Sequence, residues 1–96
     1  MAVDHRHEAQ SRIQDLSALL QSGAGDRAAA IVTECDALSR AIEAFHMEGI
    51  RFRIYNVDRL LRADPSPPAG ATALLEAARK HLEAAGFHTR SHQSPV

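Results

Sequence analysis

Six histidines among 96 residues raise the question of a metal site, because neutral imidazole is a common ligand for zinc, copper and iron. Glu43 and His46 are spaced Glu-x-x-His. That is the i, i+3 pairing of di-iron carboxylate bundles, in which both side chains project inward from one helix. A full site of that kind needs two such pairs and two further glutamates. One pair per chain could meet this only across a symmetric dimer, with Glu48 or a carboxylate of the first helical segment completing the set. The plainer reading, a surface glutamate beside a boundary histidine, is favoured, and no metal is assigned. His88 and His92 are spaced i, i+4 but follow Gly86, a helix-ending residue, and read as part of a solvated tail. His5 and His7 have no partner in view, and a cation near a helix N-terminus is disfavoured, so neutral surface imidazoles are expected.

Other reactive groups are sparse. Cys35 is the one cysteine, so no internal disulfide or cysteine-based zinc site can form within one chain. Its position on an apolar seam predicts a buried thiol that behaves as a small hydrophobe. Gly23-Ala24-Gly25-Asp26 leads toward a helix N-terminus, but it lacks the phosphate-loop lysine and the dinucleotide glycine spacing, so a tight turn is expected. No serine stands in a nucleophile motif, and no carboxylate pair has a recognisable catalytic frame. No cofactor is implied, and a non-enzymatic role is the expectation.

The polar surface that stands out is formed by Arg51, Tyr55, Arg59 and Arg62, which share one face at helical spacing, with Glu48 and Asp58 beside them. Arginine binds carboxylates and phosphates bidentately, and tyrosine offers contact area at low entropic cost. The competing reading is a solvated face laced with i, i+4 pairs such as Asp58–Arg62 and Tyr55–Arg59. Arg53 points to the packed side instead, where a half-buried guanidinium requires a carboxylate or carbonyl partner. Asn56 also lies near the packed side, where one polar residue can set register or oligomeric state.

Three helices can position these residues. Breakers fall at Gly23-Ala24-Gly25, at Pro65-Ser66-Pro67-Pro68-Ala69-Gly70 and at Gly86. The first helix is expected over 4–21, capped by Asp4, with Ala9, Ile13, Leu16 and Leu20 on one face and Gly23 or Gly25 at its exit. The second, beginning at Asp26 as N-cap, reads as one long helix over 26–63. Ile31, Cys35, Leu38, Ile42, Phe45, Gly49 and Phe52 alternate spacings of four and three, a coiled-coil-like seam suited to the core or to a dimer. A second set, Ile50, Ile54, Val57 and Leu61, sits about 100° further round. The stripe therefore shifts sideways near Gly49, as two successive packing partners would require. The third helix is expected over 71–85, with Ala71, Leu74, Leu75, Ala78, Leu82 and Ala85 inward. Gly86 and Phe87 suggest a Schellman ending folded back on Leu82, before a polar tail over 88–96. The alternative is a small α+β fold, because Ile50-Arg51-Phe52-Arg53-Ile54 alternates with period two. A strand over 50–57 would then pair with Phe87–Ser91.

A central helix of that length would extend about 55 Å. The first helix is expected antiparallel to its front half and the last one along its rear half, leaving apolar surface that a homodimer would cover. Net charge is −1, which gives no general attraction to nucleic acid or an anionic membrane. No run reaches the roughly 18 apolar residues of a membrane span. The N-terminus turns polar at once, unlike a secretory signal, and a reducing cytoplasm is the expected location. Ten of the eleven basic residues are arginine and alanine is the commonest residue, a bias that accompanies GC-rich bacterial coding. Together these features point to a single all-α domain over 1–96. Its expected function is that of an adaptor, regulator or accessory subunit, working as a homodimer with a protein partner through the Arg/Tyr face. A metal- or small-ligand-binding bundle is the alternative, and nucleic-acid binding ranks below both.

Overall fold

A computed structural model of the chain describes residues 4–21 and 26–87, with side chains resolved for 4–21 and 28–87. The described residues form four helices and no strand: α1 His5–Gln21, α2 Asp26–Glu43, α3 Met47–Ala63 and α4 Ala71–Ala84. The α+β alternative fails for the segment that suggested it, since residues 50–57 lie within α3. Burial follows the helical period instead, taking Ile50, Ile54, Val57 and Leu61 inward together.

The N-terminal helix follows its sequence signals. Asp4 caps α1: its Oδ1 accepts from the His7 N–H at 3.1 Å and its carbonyl accepts from the Glu8 N–H at 2.9 Å. Ala9, Ile13, Leu16 and Leu20 are buried as the spacing requires. The expected glycine exit at 23–25 and the capping side chain of Asp26 lie outside the described residues. The far end of α4 also matches expectation. Gly86 adopts φ +99, its N–H donates to the Glu83 carbonyl at 3.0 Å, and the Phe87 N–H donates to the Leu82 carbonyl at 2.9 Å. These are the two bonds of a Schellman motif. Phe87 packs against the core edge, whereas Ala85 is exposed rather than inward.

The largest departure from the sequence reading is the central segment, which is two helices and not one. α2 stops at Glu43 in a second Schellman motif. The Phe45 N–H donates to Ile42 at 3.2 Å and the His46 N–H to Ala41 at 3.0 Å, with Phe45 at φ +56. Glycine is the usual occupant of that left-handed position, and a residue with a Cβ there costs about 1–2 kcal/mol. Packing offsets that cost. The turn folds α3 back antiparallel on α2, so the seam Ile31, Cys35, Leu38, Ile42 and the displaced seam Ile50, Ile54, Val57, Leu61 join one core. The sideways shift of the stripe thus marks a reversal of the chain rather than a change of partner along a rod. As a result Phe45 and Phe52 leave the expected seam for the surface, and Gly49 lies half-buried in the first turn of α3.

Consecutive helices run antiparallel. α1 packs on α2 and α2 on α3, while α4 returns to lie along α1 and touches α3 only slightly. The last helix therefore packs on the first helix, not along the rear half of the central segment as expected. The radius of gyration is 12.8 Å, close to the roughly 12.5 Å of a single compact chain of this length. Of the seam expected to meet a second copy, Ile31, Cys35, Leu38 and Ile42 are covered within the chain, whereas Phe45 and Phe52 are exposed.

Candidate interaction face

Among the described residues the hydrophobic core is aliphatic apart from Cys35, with Ser17 and Arg79 buried beside it. All four aromatic residues lie outside it: Phe87 is half-buried, while Phe45, Phe52 and Tyr55 are 63%, 55% and 46% exposed. Phe45 stands in the turn ahead of α3. Phe52 and Tyr55 stand on α3 itself, three residues apart and so on one face. With Glu48 and Arg51 they line a shallow hollow of about 190 Å³.

Two cations hold these rings in place. The Arg6 guanidinium carbon sits 4.2 Å from the Phe45 ring centroid, and Arg6 also donates to the Ile42 carbonyl at 3.5 Å. Phe87 approaches Phe45 from α4, with 6.4 Å between ring centroids. The Arg53 guanidinium carbon lies 5.1 Å from the Phe52 centroid. Arg53 also finds the carboxylate its position required, donating to Glu34 on α2 at 3.1 Å. Asn56 donates to the same carboxylate at 3.1 Å. This three-residue cluster fixes the register of α3 on α2. It gives Asn56 a role within one chain, where the sequence suggested register or oligomeric state.

The Arg/Tyr face is present and partly self-paired. Arg51 donates to Glu48 at 3.4 Å, and Arg62 pairs with Asp58 at 3.0 Å, the i, i+4 contact foreseen for a solvated face. Arg59 is exposed on the same helix. The face is thus amphipathic: two apolar rings flanked by arginines and two carboxylates. The sequence reading missed Phe52 as a member of this surface, because a continuous helix placed it on the buried seam.

The other candidate groups are placed differently. Glu43 ends α2 and His46 is the N-cap of α3, so a turn, and not one helical face, separates them. Both are exposed, and Glu43 accepts from Gln10 Nε2 at 3.0 Å. No three histidine, cysteine, aspartate or glutamate side chains converge as metal ligands among the described residues. Cys35 is buried, and its pKa is pushed up to about 12, chiefly by desolvation and further by the Asp36 and Glu34 carboxylates. It is a packing residue and not a nucleophile at neutral pH. His5 does have a partner, His81 of α4. His88 and His92 lie outside the described residues. No described helix is long and apolar enough to cross a membrane. No protein-family model, curated protein or solved structure matches this chain, so the shape and chemistry of the α3 face stand as the guide to its role.

Proposed function

We propose that this protein is a non-enzymatic interaction module, an adaptor, regulator or accessory subunit, that works as a homodimer joined through α3. One observation carries the reading: Phe52 and Tyr55 are displayed side by side on α3 while the interior is packed with aliphatic side chains. Aromatic residues and arginine are enriched at protein interfaces, where they bury much area for few rotatable bonds. The same face carries both signs of charge, Arg51 and Arg59 beside Glu48 and Asp58. A two-fold contact sets a patch against its own copy, so a face with both signs can complement itself. The net charge of −1 puts little repulsion between two copies.

In this reading Phe45 and Phe52 serve at a surface between chains rather than in the core of one. Arg62, at the end of α3, extends the face toward a further protein partner. Sedimentation equilibrium at micromolar concentration tests the proposal. A dimer is expected for the wild type, and a monomer with unchanged far-ultraviolet circular dichroism for Phe52→Ser/Tyr55→Ser. A wild type that stays monomeric would overturn the homodimer. For the wider partner, reversing the charge of Arg51, Arg59 and Arg62 should abolish capture from the native cell with the fold intact.

A further inference from the structure

The first residue of α1 and the last turn of α4 meet through two imidazoles. His5 Nδ1 lies 2.9 Å from His81 Nδ1, across 76 residues of chain. The ring centroids are 5.2 Å apart with planes inclined by 32°, and both rings are half-buried. α4 lies chiefly along α1 and barely touches α3, so this contact closes one end of the interface that keeps α4 on the bundle.

A hydrogen bond between two Nδ1 atoms needs one N–H and one lone pair. The contact can exist with both rings neutral, in opposite tautomers, or with one ring cationic. It cannot exist with both cationic, because two N–H groups bearing like charge would then face each other with no acceptor. The helix ends favour one polarity. His81 stands at the C-terminal end of α4, where a cation is welcome, and His5 at the N-terminal end of α1, where it is not. A bond from His81 Nδ1–H to the lone pair of His5 fits that arrangement.

The charged groups around the pair do not replace the missing lone pair. On α1, Asp4 caps the His7 N–H and Arg6 lies over Phe45. Glu8 stands one turn along from His5 and can offset part of a positive charge. On α4 the neighbours are Lys80 and Glu83, both exposed. The end of α2 lies against the start of α1, and its carboxylate Glu43 is held by Gln10.

We propose that the His5–His81 contact is a proton-operated latch. It holds the end of α4 to α1 while either ring is neutral and releases it when both are protonated. Phe87 is bonded into that end of α4 and packs beside Phe45, so release loosens the aromatic cluster at the turn before α3 as well. The closed latch carries one proton fewer than two free imidazoles. Acid that puts a proton on both rings leaves the contact without an acceptor, and so disfavours the closed latch and lowers the stability of the fold.

Urea denaturation between about pH 7.5 and about pH 5 tests this, spanning the range in which histidine titrates. The wild type is compared with His5→Gln, His81→Gln and, as control, the exposed His7→Gln. Glutamine can accept from an imidazolium, so it keeps a contact while removing the second charge. The wild type and His7→Gln should lose stability with acid at up to about tenfold per pH unit, and the two latch variants should lose clearly less. Parallel profiles for all four proteins would overturn the proposal. Imidazole nitrogen NMR of the wild type, followed with amide exchange at Ala85, Gly86 and Phe87, keeps it falsifiable if a variant does not fold. Exchange should rise as the second ring gains its proton, and two cationic rings with undiminished protection would refute the latch.

Discussion

α2 and α3 are adjacent in the chain and nearly equal in length, at 18 and 17 residues, yet they use their apolar residues differently. α2 is covered by α1 on one side and by α3 on another, and its seam of Ile31, Cys35, Leu38 and Ile42 is fully enclosed. α3 rests on α2, has little contact with α4, and buries only one stripe. Two of its remaining large apolar residues, Phe52 and Tyr55, face outward. Branched aliphatic side chains fill the interdigitated space between helices, and the rings stand where one side is packed and the other wet. The pair of helices thus divides the work: α2 makes the interior and α3 presents a surface.

That division is broken or sharpened most strongly by truncation. Leu38→Ala and Ile54→Ala each remove a fully buried side chain, and urea denaturation should register a loss of about 2–5 kcal/mol. Phe52→Ala should change the stability of the isolated chain by no more than about 0.5 kcal/mol while weakening self-association. Equal losses for Leu38→Ala and Phe52→Ala would erase the distinction between interior and display.

The buried thiol of α2 gives an alkaline signature. Its pKa is about 12 in the folded chain against an ordinary value of 9.0. Between those values the unfolded chain has released a proton that the folded chain keeps, so stability falls as pH rises above about 9. Thiol labelling at mildly alkaline pH should proceed only through unfolding, and Cys35→Ala should remove this contribution to the alkaline decline. Rapid labelling of the native protein would show that α2 is less enclosed than its packing implies.

A smaller effect is expected where the two helices are tied by polar groups. A double-mutant cycle on Glu34→Ala and Arg53→Ala should give a coupling of about 1 kcal/mol, since the pair is only partly shielded from water. The smallest concerns Gly49. A Cβ there would come within 2.5 Å of His46 Nδ1 and 3.3 Å of the Ala41 Cβ. Gly49→Ala should therefore fail to gain the roughly 1 kcal/mol that alanine brings to a helix interior. His46→Ala in the same chain should recover part of it, as thermal denaturation of the single and double variants would read.

Much of this architecture is legible in the residues. The Asp4 cap, the Schellman ending at Gly86, the buried stripes of α1, α3 and α4, and the carboxylate partner of Arg53 all follow from local rules of spacing and charge. The break at 44–46 does not, because its left-handed position is held by Phe45 and not by glycine or asparagine. The shift of stripe between Ile42 and Ile50 was the available signal. It fits two partners along a rod and one reversal of the chain equally well, and local spacing cannot choose between them. The outward turn of Phe52 follows from the same event. On a continuous seam it faces inward, and once the helix is cut at Phe45 the register of α3 is set by Ile50, Ile54, Val57 and Leu61.

By itself the sequence pointed to a helical chain and placed most helix ends and the aliphatic stripes that lie inward, because propensity, capping and periodicity act over four residues or fewer. Only the tertiary structure decided that the central segment folds on itself, that α4 chooses α1, that His5 meets His81, and that two aromatic rings share the outer face of α3. Those outcomes depend on which arrangement of stripes buries the most apolar surface at close packing, a quantity summed over the whole chain and written in no single stretch of it.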